Sequence, residues 1–275
     1  MFGALISAVL LIGVVDCQTF NVLNYGAAAD GQKDDSPAFA KAWKDVCNST
    51  GKPTLHIPAK RAYLLNPVAF SGPCKSGNIN VDLWGTLQAP ASPSAWKGLD
   101  QSRWIIFKNV NGLKIAGPGL VDGRGQQWWS ISCQHNPGKA LSFIGCNGVT
   151  MSQIRFRDSP QTHVLILGST NVQFWELSIH APGKSPNTDG IHISSSKGIA
   201  IHNTIIGTGD DCVSIGDQCS NINVTGLVCG PGHGVSIGSL GMDGGVANVQ
   251  DIRVHRVHFI GTTNGARIKT WQARE

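Results

Sequence analysis

Apolar positions alternate within a set of short runs along this chain, and the runs themselves recur. Gly112-Leu113-Lys114-Ile115 is followed by Gly148-Val149-Thr150-Met151, Asn171-Val172-Gln173-Phe174 and Gly198-Ile199-Ala200-Ile201. Asn221-Ile222-Asn223-Val224 and Asp251-Ile252-Arg253-Val254 continue the series. In each run a small or polar residue turns the chain, and alternate apolar residues can then point into a core. The intervals are irregular but lie within the ~20–50 residues typical of solenoids. The pattern predicts an all-β chain of stacked parallel strands, a β-helix. A sandwich would show turn signals every ~8–12 residues, with no reason for similar turns to recur at coil length. Helical periodicity marks one early segment. Phe39, Ala42, Trp43 and Val46 share a face between Ser36 and about Cys47. Pro37 suits the first helical position, and Asp35 or Ser36 can cap it.

A second series carries ionisable residues. Asp189-Gly190-Ile191-His192-Ile193, Asp211-Cys212-Val213-Ser214-Ile215 and His233-Gly234-Val235-Ser236-Ile237 begin 22 residues apart. In a parallel solenoid, residues one coil apart lie ~4.8 Å apart. Asp189, Asp211 and His233 are therefore expected in one column, with Asp210 beside it. Alternation leaves open which of Asp210 and Asp211 points outward, because a turn there resets the phase. His163 aligns more loosely, 26 residues before Asp189, and a structural role suits it equally.

Composition and charge narrow the class. The apolar opening Met1–Val15 is too short to span a membrane comfortably, and polar sequence follows from Asp16. It predicts a secretory signal peptide over residues 1–17, leaving 18–275 as a single domain. Two glycosylation sequons, at Asn48 and Asn223, fit secretion. The eight cysteines suit an oxidising compartment; Cys47 with Cys74 and Cys212 with Cys229 are the preferred pairs. Removing Cys17 with the leader leaves an odd number of thiols. No Cys-x-x-Cys pair suggests zinc, and neither metal nor cofactor is expected. The net charge of +5 mildly favours an acidic partner. The basic residues are scattered, which argues against nucleic acid.

Like charges at strand spacing disfavour simultaneous ionisation, so one carboxyl of the cluster should hold its proton. An acid and a base from one cluster are what glycoside hydrolysis needs. His233 could orient a carboxyl group. Arg267-Ile268-Lys269 places two cations on one side of a strand, suited to a substrate carboxylate. Each feature alone has a plainer reading: a solvated Asp-Asp turn, an Asx-turn at Asn187-Thr188-Asp189, a Gly-His-Gly turn, surface cations. The shared 22-residue register sets these readings against a common site.

Asn187-Thr188-Asp189, Gly209-Asp210-Asp211, Gly232-His233-Gly234 and Arg267-Ile268-Lys269, in this order, resemble the four signature motifs of the plant polygalacturonases. The likeness runs from about Phe20 to Lys269. It implies a right-handed parallel β-helix with a short N-terminal capping helix, secreted to the cell wall and monomeric. It implies inverting hydrolysis of α-1,4 bonds in homogalacturonan. By motif position Asp210 would be the general acid, Asp189 and Asp211 would activate water, and His233 would support the acid. Arg267, Lys269 and Asn187 would bind substrate. The family ordinarily continues through further coils after Arg267-Ile268-Lys269, so this chain is expected to lack C-terminal coils. A non-catalytic pectin-binding homologue is the alternative. A pectate lyase would need a calcium-binding acidic cluster and a basic proton abstractor.

Overall fold

The computed structural model describes residues 18–130 and 138–272. The expected signal peptide, with Cys17, and Cys133 lie outside these residues. Among the described residues, 26 strands form three parallel sheets of nine, nine and eight strands. In every sheet the neighbours are one coil apart, and the strand order follows the chain. This is the parallel β-helix that the recurring runs predicted.

One coil shows the plan. The third-sheet strand Lys139–Ile144 passes through a two-residue corner into the first-sheet strand Asn147–Ser152. A second two-residue corner leads to the second-sheet strand Arg155–Arg157. A longer turn then returns to the third sheet at Val164–Leu167. The six recurring runs all lie in consecutive strands of the first sheet. Their small or polar residues fall at one register position and share a left-handed backbone: Asn171 and Asn221 at φ 54° and 56°, Asp251 at 56°. Asn and Asp tolerate that conformation better than other side chains do, which explains why the same few residue types recur there.

Stacking brings like residues into ladders. Phe70, Phe107 and Phe143 are register partners on successive third-sheet strands, with centroids 5.0 and 5.7 Å apart. Val149, Val172, Ile199 and Ile222 form a second buried file. Each apolar rung covers the next, so the core is continuous along the axis.

The helix runs from Ser36 to Asn48 and buries Phe39, Ala42, Trp43 and Val46 against the first coils. Trp43 meets Phe70 and Phe107, at 5.3 and 5.5 Å. The expected cap differs: Asp35 stands at the cap position but makes no capping bond. Its carboxylate accepts instead from the amides of Ala28 and Ala29, a tertiary demand that displaces the local one. Both expected disulfides are present, Cys47–Cys74 and Cys212–Cys229. Cys146 and Cys219 are free and buried. In the last strand Ile268 is exposed.

Candidate active site

The long turns between the second and third sheets deliver Asp189, Asp210, Asp211 and His233 to one edge of the third sheet. Ile191, Val213 and Val235 are direct register partners in adjacent strands, so the 22-residue repeat is one coil. The amide of Gly190 donates to the carbonyl of Asp211, and that of Cys212 to Gly234. Asp189, Asp211 and His233 thus occupy equivalent places on successive rungs. His163 does not join them. Val164 pairs with Ile191, which sets His163 opposite Gly190, one residue off the expected alignment. That coil is longer because the turn before Asp189 is longer. The ring of His163 is buried and accepts from the amide of Ser159, while its Nδ1 donates to the carbonyl of Asp189. Burial pushes its pKa down to about 4, so it is a neutral brace for the Asp189 backbone.

The local sequence explains the crossing at Asp210. A Cβ at Gly209 would sit 1.9 Å from the carbonyl oxygen of Ser185. Only glycine allows the two turns to touch there. Thr188 Oγ1 accepts from the Gly209 amide, and Asp210 Oδ1 accepts from the Asp211 amide at 2.7 Å. The carbonyl of Asp210 receives the His233 amide, and its Oδ1 lies 3.1 Å from His233 Nδ1. Asn187 Nδ2 reaches Asp210 Oδ2 at 3.5 Å. Asp210 therefore lies at the cleft surface with His233 and Asn187.

Asp211 points the other way. Its side chain is 2% exposed. Ser236 Oγ and Arg267 Nη2 donate to its Oδ1, at 2.6 and 2.9 Å, and Lys269 Nζ donates to its Oδ2 at 2.9 Å. Burial works against charge on Asp211, but the Ser236 bond, the Lys269 bond and charge, and the Arg267 bond outweigh it. They hold this carboxyl below the usual carboxylate range. Asp189 is in the opposite state. Burial, followed by the charge of Asp210, pushes its carboxyl up to about 7. One carboxylate is thus held toward its ionised form and a neighbouring carboxyl shifted toward its protonated form, the kind of divergence an acid–base site can use.

Behind the aspartates runs a second file that ends on Arg267 and whose other three members the sequence reading did not single out. His192, Ser214, Ser236 and Arg267 are consecutive register partners. Ser214 Oγ donates to Asp189 Oδ2 at 2.7 Å and contacts His192 Nδ1 at 2.7 Å. Ser236 Oγ donates to Asp211 and accepts from Arg267 Nε at 2.8 Å. A hydroxyl has one proton to give, so each serine hands a nitrogen donor's bond on to one aspartate. The signal was present in the aligned runs, where His192, Ser214 and Ser236 fill the same position, but their polarity alone did not mark them.

Asp210, Asp211 and His233 each offer a ligand-type atom within 4.8 Å of the others. A cation fits there poorly, because the Lys269 ammonium and the Arg267 guanidinium already hold both oxygens of Asp211. Lys269 would have to be displaced by the ion it resembles in charge.

The chain resembles known proteins throughout. The family model described as Glycosyl hydrolases family 28 matches residues 47–275. Polygalacturonase QRT2 of Arabidopsis thaliana is 45% identical over 262 residues, covering 93% of this chain and 59% of that protein. Polygalacturonase-2 of Solanum lycopersicum is 41% identical, over 93% and 57%. The chain therefore spans less than two thirds of the length of these curated relatives. Among solved structures, the endo-xylogalacturonan hydrolase of Aspergillus tubingensis superposes with a TM-score of 0.79 at 26% identity, covering 94% of this chain and 69% of that one. The polygalacturonase of Erwinia carotovora gives 0.73 at 26%, over 87% and 70%.

Proposed function

This chain belongs to glycosyl hydrolases family 28, and from that premise we propose that it is a polygalacturonase acting on homogalacturonan. The observation that carries the reading is the paired state of the carboxyls: Asp211 clamped as an anion by Lys269 and Arg267, Asp189 carrying a raised pKa beside Asp210. In this reading Asp210, the member at the cleft surface, protonates the oxygen of the departing sugar. His233 steadies that carboxyl through its Nδ1.

Water then attacks the anomeric carbon from the opposite face. Asp211, and Asp189 once ionised, receive its proton, which gives inversion. Arg267 and Lys269 face the cleft as cations while they brace Asp211, and a galacturonate carboxylate entering beside them shares their charge. Asn187 contributes a further donor at the rim. The protein works outside the cell on wall pectin; the two disulfides are in keeping with that compartment.

The test is release of reducing ends from polygalacturonate by the purified chain. The wild type should release them, and Asp210→Asn should lower the rate about a thousandfold with an unchanged circular dichroism spectrum. Polygalacturonate binding without release by the wild type would favour a non-catalytic pectin-binding protein and sink the proposal.

A further inference from the structure

The two serines that brace the aspartates differ in what stands behind them. Ser236 Oγ has Arg267 Nε at 2.8 Å. A guanidinium only donates, so the Ser236 proton always goes to Asp211, at 2.6 Å. Ser214 Oγ has His192 Nδ1 instead, at 2.7 Å, with Asp189 Oδ2 also at 2.7 Å. A neutral imidazole carries one N–H and one lone pair, so this bond can run either way. With the hydrogen on Nδ1, His192 donates and Ser214 gives its proton to Asp189. With the hydrogen on Nε2, Nδ1 competes with Asp189 for that proton.

His192 is held neutral. Burial, followed by the charge of Lys139, pushes its pKa down to about 4, and Lys269 adds to the effect against the pull of Asp211. Asp189 faces the charges of Asp210, Asp211 and Lys139. The buried, neutral His163 lies against its carbonyl, and His233 stands beyond Asp210. An ionised carboxylate only accepts. Once Asp189 is ionised, the Ser214 proton belongs to it, and the ring hydrogen of His192 belongs on Nδ1. Resting on the reading of this cleft as a polygalacturonase site, we propose that His192 is a positioning residue: its Nδ1 hydrogen commits the Ser214 proton to ionised Asp189 and so sets the pH below which hydrolysis falls. The hydrogen bond to Asp189 favours the charged form, which is the form that takes the proton of water.

The test is NMR titration of the full chain, with labelled histidine nitrogen and aspartate carboxyl carbon. The Asp189 signal is assigned by its absence in Asp189→Asn. Above the titration of Asp189, His192 should carry its hydrogen on Nδ1. His192→Leu should raise the Asp189 titration by about one pH unit, a tenfold change for a weakened bond to a charged group. The acid limb of reducing-end release should move upward by the same amount. His192→Asn, whose amide nitrogen can stand where Nδ1 does, should bring both back. A bare Nδ1 beside ionised Asp189 overturns the proposal, and wild type alone gives that result should His192→Leu not fold. An Asp189 titration or an acid limb left unmoved by His192→Leu also overturns it. A wild type that releases no reducing ends overturns the polygalacturonase reading and the link to hydrolysis. The nitrogen and carboxyl titrations then still uphold or overturn the bond from His192, because they need no substrate.

Discussion

Lys269→Met removes the ammonium from Asp211 while keeping an alkyl stem of similar reach. The two charges lie 2.9 Å apart, with the lysine side chain 30% and the aspartate side chain 2% exposed. At an effective dielectric constant of ~20, unit charges at that distance attract by about 6 kcal/mol. The cost of taking both groups out of water cancels a large part of this. Arg267 and Ser236 still face Asp211 after the change. The expected loss is therefore about 2–3 kcal/mol, below the ~3–5 kcal/mol seen when a buried charge loses its partner outright. For a chain of this size that lowers the melting temperature by about 4–6 °C at pH 7.

The pH dependence identifies the cause. The pKa of Asp211 is depressed in the folded state. Its stabilisation is present above the unfolded value of about 3.9 and is lost as pH falls through the lower, folded value. The gap between wild type and Lys269→Met should be widest near neutrality and close as the solution is acidified below about pH 4. Urea denaturation followed by tryptophan fluorescence at several pH values measures it. A gap of the same size at pH 3 and pH 7, or none at pH 7, would refute the reasoning.

Asp189→Asn tests the opposite shift. The folded pKa of Asp189 is raised to about 7, so its favourable contribution is complete below about pH 4 and disappears as pH rises through about 7. Relative to Asp189→Asn, the wild type should lose stability between those limits; a parallel pH profile for the two proteins would show that Asp189 is not shifted. Replacing Cys212 and Cys229 together by alanine opens a loop of sequence separation 17 and should cost about 3 kcal/mol in urea denaturation, and an unchanged midpoint would show that the bridge is energetically idle. Gly209→Ala should abolish reducing-end release, because its Cβ would press on the Ser185 carbonyl and displace the Asp210 turn; near-normal activity would mean that the turn has room to relax.

Recurrence made much of the fold legible in the sequence. The six runs of alternating apolar residues lie in adjacent first-sheet strands, because a solenoid repeats one local problem and solves it with the same residue types. The 22-residue interval is the true coil length between Ile191, Val213 and Val235, so Asp189, Asp211 and His233 could be stacked before any coordinates. Coils of unequal length hid the rest. The coil from Val164 to Ile191 is longer, which put His163 one residue out of step.

The direction of Asp211 was not readable, because a turn precedes its strand and breaks the alternation. The grip of Arg267 and Lys269 on Asp211 joins residues 56 and 58 positions apart, a contact fixed by register and not by any local pattern.

The hydrolytic mechanism is tested most directly by the configuration of the first-formed product, followed by proton NMR as the purified chain digests polygalacturonate. Attack by water on the face opposite the leaving sugar turns an α bond into a β-anomeric reducing end. The β-anomer should accumulate first and then mutarotate, with no signal in Asp210→Asn. An initial α-anomer, or an unsaturated product absorbing in the ultraviolet, would contradict the division of roles among Asp189, Asp210 and Asp211.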